Sequence, residues 1–100
     1  MPSPPRYTWR IACEPVMVCA VQLSSQGEVE ENLAKVSALV GEAAKRGAQL
    51  VLLPENFAYF GDEEGKRALA EPLEASAPAQ WGPIGRRLAE LSRTHGLTLL

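Results

Sequence analysis

The distribution of apolar and polar residues along the chain predicts a succession of strands and helices. One almost unbroken apolar run, VMVCAVQL, begins at Val16, and a second, LVLL, ends at Pro54. Short apolar runs bounded by breakers are typical of strands buried on both faces of a parallel sheet. Between them, apolar side chains recur at the spacing that marks one face of an α-helix: Val29, Leu33, Val36, Val40 and Ala43.

The ends of this helix carry their own signals. Ser25 and Glu28 have the spacing of a capping box, in which each side chain hydrogen-bonds the backbone of the other residue. Lys45 and Arg46 lie near the C-terminus, where cations are favoured, and Gly47 supplies the left-handed residue that ends a helix. Strand, helix and strand joined by short connections predict a right-handed βαβ unit with parallel strands.

The pattern beyond Pro54 predicts a long loop and a second helix. Residues 55–80 contain several glycines and prolines and one short helical stretch, near 63–70. The second helix is predicted from Trp81 to His95, because a proline in its first turn and a glycine after its end fit these helix positions. The loop follows a parallel strand, where α/β proteins place their binding and catalytic groups.

The final residues, LTLL, predict the start of a third strand. Three strands with two helices leave a sheet edge and a sheet face uncovered. We therefore expect residues 16–100 to be the truncated N-terminal segment of a longer α/β domain. Residues 1–15 contain four prolines and no periodic apolar positions, and we expect them to be a flexible extension.

Composition narrows the classes of function. The 100 residues carry 10 Lys plus Arg against 12 Asp plus Glu, a formal net charge of -2. Nucleic-acid and anionic-membrane binders usually show a basic excess, so we expect neither partner. The sequence shows neither a signal peptide nor a membrane-spanning run, and Cys13 and Cys19 lack the spacing of a metal site. These features favour a cytoplasmic, metal-free protein whose partner is a small molecule or another protein.

Glu55 is the residue that the pattern itself singles out for chemistry. It directly follows the second strand, at the carboxyl end where parallel sheets bind ligands. We expect Phe57, Tyr59 and Phe60 to withdraw its carboxylate partly from water, which would make it a stronger general base. We also expect Phe57 and Tyr59 to line a substrate pocket beside it. The alternatives are a solvated or helix-capping glutamate, and aromatic side chains that only pack beneath the loop.

The residues around Glu55 also resemble a known family. The run VCAVQLSSQGEVEENLAKVSALVGEAAKRGAQLVLLPENFAYFG is similar to the opening of the nitrilase superfamily of carbon-nitrogen hydrolases. The shared features are an A-x-Q first strand, an E-N-L helix start, an A-x-x-G-A segment and a strand that ends in Pro-Glu. PENFAYFG and the sequence after it are most similar to the branch of omega-amidase-like and deaminated-glutathione-amidase-like enzymes. The resemblance covers about residues 16–100.

This resemblance implies an αββα sandwich whose site needs no metal or organic cofactor. In that family a Cys attacks the amide or nitrile carbon to form a thioester acyl-enzyme, a Glu acts as general base, and a Lys stabilises the tetrahedral intermediate. Only the Glu carries over, as Glu55. Cys19 lies within a strand and is interpreted as a small buried hydrophobe, and Lys66 as a solvated surface residue. The full-length protein would hydrolyse a small linear amide, and this chain alone would be inactive.

Other interpretations stay open. A non-catalytic α/β ligand-binding or scaffolding module could have the same βαβ pattern and use the long loop for a partner. A nucleotide-binding domain is disfavoured, because Ser24-Ser25-Gln26-Gly27 stands where a glycine-rich phosphate loop would follow the first strand. His95, in the last turn of a helix, suits stabilisation by the helix dipole better than catalysis. The resemblance also implies a homodimer or higher homo-oligomer at full length.

Overall fold

The computed structural model describes residues 15–72 and 81–100, which form a parallel sheet with helices. The sheet has three strands in the order β1-β2-β3, and both strand pairs are parallel. The predicted α/β class and βαβ unit are confirmed. Residues 1–14, most of the predicted extension, lie outside the described residues. The elements in chain order are β1 (Val18–Ala20), α1 (Val29–Lys45), β2 (Leu50–Leu52), α2 (Glu63–Ala68), α3 (Pro83–His95) and β3 (Thr98–Leu99).

One face of the sheet packs against α1 and α3. Strand order follows chain order, so two crossovers of the same hand bring both helices to the same face, and α1 contacts α3. Cys19, Val51 and Leu99 pair across the three strands, and all three pack in or against the buried core. The core between sheet and helices consists of Val36, Val40, Ala43, Ala48, Val51 and Leu97.

The prediction that the first strand is buried on both faces is wrong for the described residues. Val18 is 48% exposed and Met17 is 52% exposed, whereas Cys19 between Val18 and Ala20 is half-buried. Successive side chains of a strand point to opposite faces, and the described helices cover only one of them. An apolar run identifies the strand but does not report which elements cover it.

The N-terminus of α1 also differs from the predicted capping box. The N-cap is Glu28, and it makes no side-chain capping hydrogen bond. Ser25 lies three residues before the N-cap, and its Oγ donates to the carbonyl oxygen of Phe57 at 3.2 Å. Ser25 therefore joins two loops and does not cap the helix.

The predicted end of α1 is confirmed at Gly47, whose φ is 86°. The Gly47 amide donates to the Ala44 carbonyl at 3.0 Å, and the Ala48 amide donates to the Ala43 carbonyl at 3.0 Å. This pair of bonds is a Schellman motif, which satisfies carbonyls in the last turn. The chain then enters β2 directly.

The remaining helices agree with their predictions to within a few residues. α3 begins at Pro83, follows the N-cap Gly82, and ends at Gly96 with a φ of 62°. α2 stops at Ala68, inside the predicted stretch 63–70. None of the helices in residues 15–72 and 81–100 has the length and apolar character that a membrane crossing requires.

Gly47, after the end of α1, and Gly41, within α1, should respond in opposite ways to substitution by alanine. Gly47→Ala should lower the free energy of unfolding of the full-length protein by about 1 to 2 kcal/mol, because alanine is strained in the left-handed region. Gly41→Ala is the matched control: a Cβ there would meet His95 Cε1 at an ordinary 3.7 Å. It should raise the stability by about 0.5 to 1 kcal/mol, since alanine is the better helix former.

Urea titration of both variants measures these changes. Equal effects of the two substitutions would contradict the assignment of Gly47 as the left-handed end of α1.

Candidate active site

Glu55 lies after Pro54 at the carboxyl end of β2, the central strand of the sheet. Its side chain is exposed, and within residues 15–72 and 81–100 it takes part in no hydrogen bond or ion pair. The expected partial withdrawal from water is not found among these residues, because Phe57 and Tyr59 contact other neighbours. The carboxylate is therefore accessible at this edge of the sheet.

The backbone on both sides of Glu55 is held in place. The Leu53 amide donates to the Leu100 carbonyl at 2.7 Å, which ties the end of β2 to the end of β3. Asn56 has a φ of 60°. Among the described residues, it is the one residue other than glycine with its backbone in the left-handed region. Asparagine tolerates that region better than most residues, and such a conformation persists only where the surroundings hold it.

Asn32, in the first turn of α1, is fully buried and contacts the Glu55 loop. Its Nδ2 donates to the Ala58 carbonyl at 2.9 Å and to the Gln26 carbonyl at 2.7 Å. Its Oδ1 accepts from the Gln26 amide at 2.9 Å. One buried amide thus joins helix α1, the loop that follows β1 and the loop that follows β2.

Two further hydrogen bonds connect the same loops. Ser25 Oγ donates to the Phe57 carbonyl, and the Phe60 amide donates to the Gln26 carbonyl at 3.1 Å. We call these contacts and those of Asn32 the polar clamp. It joins Ser25, Gln26 and Asn32 to the backbone of Phe57, Ala58 and Phe60.

Phe57 packs against the core and faces a groove beside α3. The groove has a volume of about 510 Å³, and its wall is predominantly apolar. Leu53 and Trp81 also line it, but Glu55 does not. The side chain of Phe57 therefore belongs both to the packing beneath the loop and to the wall of a groove near the end of β2.

Tyr59 faces a different, smaller cavity of about 100 Å³, next to α2. Its hydroxyl donates to Asp62 Oδ1 at 3.2 Å, and the same oxygen accepts from the Gly65 amide at 2.7 Å to cap α2. Desolvation of the phenol and the neighbouring Asp62 carboxylate raise the pKa of Tyr59 above its ordinary value of 10.0. The structure thus separates Phe57 and Tyr59, which the sequence placed together beside Glu55.

Glu71 caps the start of α3 from a distance along the chain. Its two carboxylate oxygens accept from the amides of Ile84 and Gly85, each at 2.8 Å. A Cβ at Gly82 would overlap the Glu71 side chain, so the N-cap glycine leaves the room that the carboxylate needs. A negative charge at this end of the helix also interacts favourably with the helix dipole.

Among the described residues, no other candidate residue forms a hydrogen bond or ion pair with Glu55. Cys19 is half-buried in β1 and packs against the core, as expected of a small hydrophobe. Lys66 is exposed on α2, in agreement with its interpretation as a surface residue. His95 lies in the last turn of α3, and Cys13 lies outside the described residues. Within the described ranges, no cluster of His, Cys, Asp and Glu is arranged to hold a metal ion.

Sequence reasoning assigned no role to Glu71, and it named Asn32 only as part of the E-N-L segment. Asn32 precedes Val36 and Val40 at helical spacing, so a polar residue inside the apolar stripe of α1 was an available signal. No local pattern marks Glu71, because its partners follow more than ten residues later. The absence of a capping side chain at Gly82 indicates only that some other group has to cap α3.

The chain has recognisable relatives. The family model for Carbon-nitrogen hydrolase matches residues 17–100. A deaminated glutathione amidase of Synechocystis sp. is 42% identical over 53 residues, which are 53% of this chain and 20% of that protein. The deaminated glutathione amidase of Bos taurus is 33% identical over 89 residues (84% of this chain, 27% of that protein). The deaminated glutathione amidase of Homo sapiens is 34% identical over 88 residues (88% of this chain, 25% of that protein). The chain thus spans between 20% and 27% of the length of these curated relatives.

The phenol of Tyr59 should titrate above its ordinary pKa of 10.0. Difference absorbance of tyrosinate between the wild-type protein and Tyr59→Phe measures this midpoint. Asp62→Asn should lower the pKa, because it removes the neighbouring negative charge. A group whose pKa is raised by folding contributes stability below its unfolded pKa and loses it as pH rises through the folded pKa. A midpoint that Asp62→Asn leaves unchanged would contradict the Tyr59–Asp62 contact.

Glu71→Ala should lower the free energy of unfolding by about 1 to 3 kcal/mol, because two amides of α3 lose a charged acceptor. Glu90→Ala is the control, since Glu90 is exposed on the same helix and away from its N-terminus. Thermal or urea unfolding of the full-length protein measures both. Equal losses for the two variants would show that Glu71 does not act as the cap of α3.

Proposed function

Because the chain belongs to the carbon-nitrogen hydrolase family, we propose that the protein hydrolyses the amide C–N bond of a small linear molecule, with Glu55 as the general base. The nitrilase-superfamily resemblance drawn from A-x-Q, E-N-L and Pro-Glu is confirmed by the match over residues 17–100. The amidase-like branch agrees with the names of the relatives. The roles of individual residues and the activity of the whole protein belong to the proposal.

The observation that carries the proposal is the position of Glu55 at the carboxyl end of the central strand, together with its contrast to two carboxylates nearby. Asp62 and Glu71 each accept backbone amides at the start of a helix. Glu55 has no such structural task among the described residues, yet its backbone is held on both sides. An exposed carboxylate on a well-held loop at the end of a central parallel strand is positioned for chemistry.

The proposed reaction has two stages. Glu55 takes the proton of a cysteine thiol, and the thiolate attacks the amide carbon to form a tetrahedral intermediate. The intermediate collapses to a thioester as the C–N bond breaks, and the leaving nitrogen takes up the proton. Glu55 then deprotonates a water molecule, which attacks the thioester and releases the acid and the thiol. The resemblance supplies the cysteine and a lysine that stabilises the intermediate; it assigns neither to a residue of this chain.

The substrate is proposed from the relatives and from the groove. The relatives are named deaminated glutathione amidases. We infer an amide of that general kind, such as a dicarboxylic acid monoamide. The groove beside Phe57 supports an apolar contact to the chain of such a substrate, and Tyr59 is retained as a second candidate contact. A cytoplasmic homo-oligomer is part of the same proposal.

Glu55→Gln in the full-length protein tests the assignment. Glutamine retains the size of the side chain but cannot take the thiol proton, so kcat/KM should fall by about 10²- to 10⁴-fold. Glu64→Gln is the control, because Glu64 is an exposed carboxylate on the neighbouring α2. Ammonia release from a panel of linear monoamides measures turnover, and circular dichroism verifies folding.

Full activity of a folded Glu55→Gln variant would overturn the general-base role. A wild-type protein that binds such amides without releasing ammonia would instead support the non-catalytic ligand-binding alternative.

A further inference from the structure

We propose that Asn32 is a positioning residue for Glu55, acting through the polar clamp to fix the loop that carries the carboxylate. The inference rests on the proposed function of Glu55 and gives a role to Asn32, which is part of the E-N-L segment of the resemblance but has no role assigned by it. Asn32 lies on α1, 23 positions before Glu55 in the sequence. It acts on the loop backbone and does not itself contact the reacting atoms.

The path from Asn32 to Glu55 is short. Asn32 Nδ2 donates to the carbonyl of Ala58, three residues after Glu55, and Ala58 is itself buried. On the other side of Glu55, the Leu53 amide is bonded to the Leu100 carbonyl. The Glu55 backbone is therefore fixed between two anchored points only five residues apart. A shift of Ala58 would turn the carboxylate, because few rotatable bonds separate the two residues.

The hydrogen-bond partners of Asn32 require a side-chain amide, and side chains of similar shape cannot replace it. Both Nδ2 hydrogens face carbonyl oxygens, of Gln26 and Ala58, while Oδ1 faces an amide. An aspartate of the same shape would place a carboxylate oxygen against two carbonyl oxygens. An apolar residue would leave the Ala58 carbonyl without its donor in a buried place, which is costly.

Asn56 provides an independent indication that the loop is held in a set conformation. Its φ of 60° is uncommon for a residue with a Cβ and lies directly next to Glu55. Such a conformation is stable when neighbouring contacts determine the path of the chain. The polar clamp begins one residue later, with the hydrogen bond from Ser25 to the Phe57 carbonyl.

Asn32→Asp in the full-length protein is the primary test. Misplacement of a catalytic group by about 1 Å can cost about 10²-fold, so we expect kcat to fall about 10- to 100-fold with little change in KM. The kinetics are measured at a temperature well below the unfolding midpoint of each variant, so that lost stability alone does not lower kcat. Ser37→Ala is the matched control: its Oγ bonds the Leu33 carbonyl within α1, away from the loop, and kcat should be unchanged.

A folded Asn32→Asp variant with wild-type kcat would overturn the proposal. If that variant does not fold, Ser25→Ala decides, because it removes a single part-buried bond of the clamp. A fall in kcat of about 3- to 10-fold at unchanged KM supports positioning, and unchanged kcat overturns it. Glu55→Gln, assayed in parallel, separates the two ideas: if it is fully active, the proposed function fails. If it is inactive while the clamp variants keep full kcat, only the positioning role fails.

Discussion

The buried amide of Asn32 is the contact on which the edge of the sheet depends. It satisfies the backbone of the loop after β1 and the backbone of the loop after β2 from a single position on α1. Without Asn32, the carbonyl of the buried Ala58 would lose its side-chain donor. Because α1 is fixed to the sheet by Val36 and Val40, the position of Asn32, and with it the path of both loops, follows from the packing of the core.

Carboxylates at this edge have distinct tasks, which their hydrogen bonds reveal. Asp62 caps α2 and holds the Tyr59 hydroxyl, and Glu71 caps α3 across more than ten residues. These two carboxylates accept hydrogen bonds from backbone amides. Glu55, in contrast, is exposed and forms no hydrogen bond or ion pair among the described residues. Accessibility alone does not distinguish Glu55, because Glu63, Glu64 and Glu90 are also exposed; its place at the carboxyl end of β2 does.

Periodicity predicted most of the fold, since it reports local conformation and the buried face of each helix. The strands, the helix α1 and its left-handed end at Gly47 followed from spacing and glycine alone. Contacts between distant residues could not be predicted in this way. Ser25 was expected to cap α1 but bonds Phe57, and the solvation of Glu55 depends on where Phe57 and Tyr59 turn. The Pro-Glu resemblance singled out Glu55 as the proposed general base, but only the structure revealed the clamp that holds its loop.

Hydrogen exchange at the Phe60 amide tests the polar clamp most directly. This amide donates to the Gln26 carbonyl, which Asn32 also binds, so it reports on the joined loops and not on the helices. In the native full-length protein, NMR-detected exchange should be slow at Phe60, and Asn32→Asp should accelerate it while the amides in the middle of α1 stay protected. Fast exchange at Phe60 in the native protein, or exchange that Asn32→Asp does not alter, would contradict the account.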